Sequence, residues 1–111
     1  MKKGENHNFK LLSKIITGMQ LAISMTTFLC LCNGNADLEE DCNKVADSHE
    51  RLQDSLQNAL DADKTESSSI RRNANDFLEK LSDFKSLSAA KDKKIQIVIR
   101  DMQKAAREII A

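Results

Sequence analysis

The sequence predicts an all-α protein: a helical hairpin or a small three-helix bundle with coiled-coil-like heptad packing, placed after an N-terminal signal or anchor segment. Three observations carry that expectation. From Asp37 to Ala111 there are 75 residues with neither Gly nor Pro, apolar residues recur there at alternating steps of four and three, and an uncharged apolar run precedes them. Without either helix breaker, the turns fall to Ser, Asp and Asn, and helix is favoured nearly throughout. At 111 residues, one small domain is the ceiling.

The first segment, residues 1–36, has the layout of an export signal. Lys2, Lys3, Lys10 and Lys14 precede the 18 uncharged residues Ile15 to Cys32, and Gly34 and Ala36 then stand at the −3 and −1 positions that a signal peptidase needs small. Cleavage after Ala36 would make Asp37 the new N-terminus. An uncleaved anchor is the competing expectation, since 18 residues of helix span about 27 Å against a bilayer core of ~30 Å. Both place Asp37 onward outside the cytoplasm, secreted or periplasmic after cleavage, or as the outer part of a single-pass membrane protein, because positive residues stay inside. Cys30 and Cys32 end the apolar run, but each follows Leu where lipoprotein processing needs a small residue.

The exported domain is then 37–111, with helices expected at about 38–62, 69–86 and 90–110. Leu38, Cys42, Val45, His49, Leu52, Leu56 and Ala59 mark the first buried face. A second series runs through Ile70, Ala74, Phe77, Leu81, Phe84, Ser88, Lys91, Ile95, Val98, Met102, Ala105 and Ile109. With Leu38 and Ile70 as d positions, the e positions include Ala46, Leu60, Leu78, Ile99 and Ala106. The stripe is therefore wider than a strict coiled-coil seam and favours a bundle.

Between the two series, Asp61 to Ser69 is polar apart from Ala62 and reads as a turn, with Thr65, Ser67, Ser68 and Ser69 as candidate caps. Ser86 to Lys94 is a weak spot that can split the second region into two helices. Lys94 to Arg100 alternates as a strand would, yet helix formers flank it and no partner strand exists. Charge supports antiparallel packing: Asp37 to Glu66 holds ten acids and three bases, whereas Ser67 to Ala111 holds six acids and ten bases.

Chemistry is sparse beyond Ala36. One His and one Cys occur there, with no metal-ligand spacing and no phosphate-binding loop, so no catalytic, metal or cofactor site is expected and the protein is read as non-enzymatic. Equal numbers of acidic and basic residues, 17 each, argue against nucleic acid as a partner. His49 reads as a core-edge residue. If residues 1–36 leave, Cys42 becomes a lone thiol in an oxidising compartment, either a buried apolar residue or a candidate for an intermolecular disulfide. Acids at Asp37, Glu39, Glu40 and Asp41 suit a helix N-terminus.

The function expected is protein interaction or self-association, giving a homo-oligomer or a complex with a protein partner. Ile95, Val98, Ile99, Met102 and Ile109 form the candidate face. Membrane anchoring, or surface binding by the basic amphipathic stretch from Lys91 to Ala111, is the alternative.

Overall fold

The computed structural model describes residues 2–62 and 68–111, with side chains from Phe9 onward. Four α-helices follow one another: α1, Lys2–Cys32; α2, Glu39–Ala62; α3, Ser68–Lys85; and α4, Lys93–Ile110, with a single 3-10 turn at Ser88–Ala90. There is no strand among the described residues, so the alternating Ile95, Ile97 and Ile99 lie on a helix. Each helix packs on the next, and α4 returns to pack on α1, closing the ring.

Contacts between the helices fix their directions. Gly18 of α1 meets Gln53 of α2, and Cys32 meets Cys42, so these two helices run antiparallel. Arg51 meets Asp76 and His49 meets Phe77, which makes α2 and α3 antiparallel too. Lys14 near the start of α1 reaches Ile109 at the end of α4. The result is an up-down-up-down bundle, compact across and elongated along its axis at 52 × 20 × 18 Å.

The periodic series mark the core. Leu38, Cys42, Val45, Leu52, Leu56 and Ala59 are buried, as are Ile70, Ala74, Phe77, Leu81, Phe84, Ile95, Val98, Met102 and Ile109. Ser88 and Lys91, the two polar members, are exposed in the connection between α3 and α4. Of the e positions, Ile99 and Ala106 are fully buried while Leu60 faces solvent.

The larger difference from expectation is α1. Instead of standing apart as a leader, it forms the fourth wall of the core and buries Leu11, Leu21, Met25, Phe28 and Cys32. These residues, with Lys14 and Gly18 between them, lie at steps of three and four on one face. The Phe28 ring meets that of Phe84 edge-on, with centroids 4.8 Å apart. Gly18 allows α1 to approach α2 closely, because a Cβ there would stand 2.7 Å from the Leu56 side chain. Lys14 is the charged member of this inner face. Its Nζ donates to the carbonyl of Ile109, and at 3.5 Å to that of Ala111, placing a cation at the negative end of α4.

The connections follow from local chemistry. Gly34 adopts φ 85°, a left-handed conformation that ends α1, and Asn35 and Asp92 act as turn and cap residues. The Asp92 carboxylate accepts from the backbone N–H groups of Lys94 at 2.8 Å and Ile95 at 3.3 Å, so α4 starts at Lys93 and not near residue 90. The turn expected at Asp61 to Ser69, with its capping Thr65 and Ser67, falls largely on residues 63–67, which lie outside the described residues. Asp76 of α3 binds Arg51 of α2 at 3.2 Å and, within its own helix, Lys80 at 2.9 Å. The hydrogen bond from Lys80, followed by that from Arg51, holds its carboxyl below the usual range.

Candidate functional site

The five residues expected to form a sticky face do not form a surface while α1 is seated. Ile95, Val98, Ile99, Met102 and Ile109 are all at most 6% exposed. They face the interior because α4 packs between α3 and α1. The moment that makes α4 a candidate docking helix is satisfied within the chain. The basic residues Lys93, Lys94, Arg100, Lys104 and Arg107 are exposed around its outer side, with Lys91 in the connection just before it, and Ile97 is the large apolar residue facing solvent there.

An unpartnered apolar surface occurs instead on α1. Phe9, Leu12, Ile16, Met19 and Ile23 are 73%, 52%, 48%, 63% and 69% exposed, and they follow one another at steps of three, four, three and four. Thr26 and Cys30, both exposed, continue the same phase. This outer seam is offset by two residues from the inner one, about 200° around the helix. The helix therefore carries an apolar face on each of two opposite sides. Three threonine hydroxyls along the helix are already satisfied: those of Thr17, Thr26 and Thr27 donate to the carbonyls four residues back, those of Ser13, Ala22 and Ile23. The signal was present in the sequence, in the seven-residue repeat of Phe9, Ile16 and Ile23, but it is masked when the segment is read only for length and charge.

Cys42 is buried at the corner where α1 turns into α2. Its neighbour is Cys32, and both line an open cleft with Leu29, Cys30, Asn33, Gly34 and Asn35. Burial pushes the Cys32 thiol up to about 12 and raises Cys42 as well, while the S–H of Cys32 favours the Cys42 thiolate and offsets part of that rise. Cys42 is not presented to a second molecule in this arrangement. Ahead of it, Asn33 to Asp37 are all exposed and non-helical, and Glu39, Glu40 and Asp41 occupy the first turn of α2 where its dipole favours acids. Among the described residues, no three His, Cys, Asp or Glu side chains are grouped so as to hold a metal ion.

His49 is half-buried, with its ring centroid 5.9 Å from that of Phe77. The amide nitrogen of Gln53 stands 2.9 Å from the Gly18 carbonyl and 3.1 Å from His49 Nε2. An amide nitrogen can only donate, so Nε2 accepts and the imidazole is neutral with its proton on Nδ1. Desolvation lowers the His49 pKa. Protonation would set two donors against each other and release Gln53 from one of its partners.

The sign of the resulting pH dependence is fixed. The folded chain binds this proton less readily than the unfolded one, so stability is fully present above about pH 6.5 and falls as pH drops toward the lowered folded value. Thermal melts between pH 7.5 and 5 should show that decline, and His49→Gln should flatten it. The Asp76 contribution is lost only at lower pH, below about 4, because its folded pKa is depressed from the usual carboxylate range. A decline of equal size in His49→Gln would assign the pH response elsewhere. Comparison with protein-family models, curated proteins and solved structures found no match for this chain.

Proposed function

We propose that this chain is a small exported, non-enzymatic helical protein that works by association, with a second copy of itself or with a protein partner, through a helical face. The observation that carries this is the two-sided α1. A helix apolar on opposite sides is suited to a place between two partners, and only one of its sides is covered by α2 and α4. Heptad spacing of the outer residues suits another helix, which packs side chains into the gaps between a and d positions.

Export is supported by the lysines ahead of the uncharged run and by Gly34 and Ala36, which lie in an exposed turn that a peptidase can reach. Cleavage there would not remove the basis for association. It would exchange one apolar face for another, since release of α1 uncovers the side of α4 that carries Ile95, Val98, Ile99, Met102 and Ile109.

Light scattering of the full chain in detergent-free buffer is the direct test. The expected result is an oligomer that shifts toward monomer in the Ile16→Glu/Ile23→Glu double variant, with helicity unchanged, because both residues face outward. A wild-type monomer, with no protein partner captured by α1 in its folded state, would count against the proposal. A lipid reading has one specific observation in its favour. Phe9–Cys32 is long and apolar enough to cross a bilayer and is mostly uncovered. Co-sedimentation with anionic vesicles, abolished by the same double variant, would favour membrane anchoring over protein association.

A further inference from the structure

Cys32 is the last residue of α1 and Cys42 lies in the opening turns of α2. Both are buried, at 5% and 8% exposure, and both are free thiols. They are neighbours across the corner and line one cleft. Cys30, two residues earlier, is exposed and borders the same cleft.

We propose that Cys32 and Cys42 are a disulfide-forming pair whose oxidation staples α1 to α2 within one chain. Oxidation requires the two sulfurs to close to the bonding distance of ~2.05 Å. The site allows that movement, because Cys32 is followed by the exposed turn through Gly34 rather than by more helix. Cys30 borders the same cleft but is exposed, and it lacks the contact that Cys32 makes with Cys42, so it is the less suited partner for either thiol.

The chemistry balances with a small-molecule disulfide such as oxidised glutathione. One cysteine thiolate attacks it, forming a mixed disulfide and releasing one glutathione thiol. The second cysteine then attacks the first cysteine's sulfur and displaces the other glutathione. Two cysteine thiols are thereby oxidised, and one glutathione disulfide is reduced to two thiols. Because burial keeps both thiols largely protonated, their oxidation is slow. The bond also spans the junction between Ala36 and Asp37. A chain cut there would keep α1 attached until reduced.

The test uses the full chain, purified reduced, incubated with oxidised glutathione, alkylated and mapped without reductant. The expected product is a chain lacking two hydrogens at the Cys32–Cys42 pair, in which one peptide joins those two residues and Cys30 remains open to external reagents. Cys30→Ser should give the same bond, whereas Cys32→Ser and Cys42→Ser should each abolish it. Proteolysis within residues 33–37 should leave the two pieces joined until reductant is added. A Cys30–Cys42 link, a Cys42–Cys42 dimer, or two thiols that stay open to alkylation at Cys32 and Cys42 would overturn the proposal.

Discussion

Phe28→Ala is expected to lower the unfolding free energy of the full chain by about 3–5 kcal/mol, the usual cost of emptying a buried aromatic site. Phe28 is fully buried, and it contacts Phe84 edge-on at 4.8 Å. Its removal deletes an aromatic pair as well as leaving a cavity between α1 and α3. A domain this small has a total stability of about 5–15 kcal/mol, so the variant should approach the limit of folding. Its melting temperature should fall by roughly 10 °C or more. Phe9→Ala is the control, because Phe9 is 73% exposed and contributes little to the monomer core. Urea titrations followed by helicity measure both. If Phe28→Ala and wild type share one midpoint, α1 does not build the core in solution, and the leader and anchor readings of residues 1–36 gain accordingly.

Much of the core was legible because helix burial repeats. The four-three steps through Leu38 and Ile70 single out residues that are buried in α2, α3 and α4, with His49 and Ala105 half-buried at the edge and Ser88 and Lys91 displaced to the connection. The boundary of α4 was less legible, since the strong helix formers before Lys93 favour an earlier start while the Asp92 cap sets the actual one. The place of α1 was not legible at all from the features used to judge export. Length, positive flanks and small residues describe how a segment is handled by membranes, and they are silent on whether Leu21 or Phe28 also fits against a neighbouring helix. Gly18 held the clue. In a run read as membrane-spanning it is an ordinary interruption, yet here it provides the space for Leu56. The Cys32 and Cys42 pair was invisible for the same reason: dividing the chain at Ala36 assigns the two thiols to different molecules.

Packing of α1 against both α2 and α4 also explains why polar ties are concentrated on its inner side. Gln53 donates to the Gly18 carbonyl and Lys14 to carbonyls at the end of α4. These bonds set register along an interface whose apolar contacts alone would tolerate sliding. They reach only two levels of the bundle, and the burial of Leu11, Leu21, Met25 and Phe28 supplies the bulk of the attraction.

Excising residues 1–36 is expected to convert the remainder into a self-associating species. Each large apolar side chain of α1 that leaves the core forfeits about 1.5–3 kcal/mol, and the facing sides of α2 and α4 lose their cover together. Three helices of 75 residues then present Ile95, Val98, Ile99, Met102 and Ile109 on a contiguous open face. The melting temperature of 37–111 should therefore rise with protein concentration, as it does whenever association stabilises the folded form. Sedimentation equilibrium should show dimers or larger species. Ile99→Ala in that fragment should weaken association by about 2 kcal/mol or more, roughly thirtyfold, because the side chain is central to the face and its loss leaves a void in the new interface. A fragment that stays monomeric and melts at the full chain's temperature would mean that α4 closes on α2 and α3 unaided. The association surface would then have to be sought on the outer seam of α1 alone, where Phe9, Ile16 and Ile23 remain exposed whichever way the inner face is satisfied.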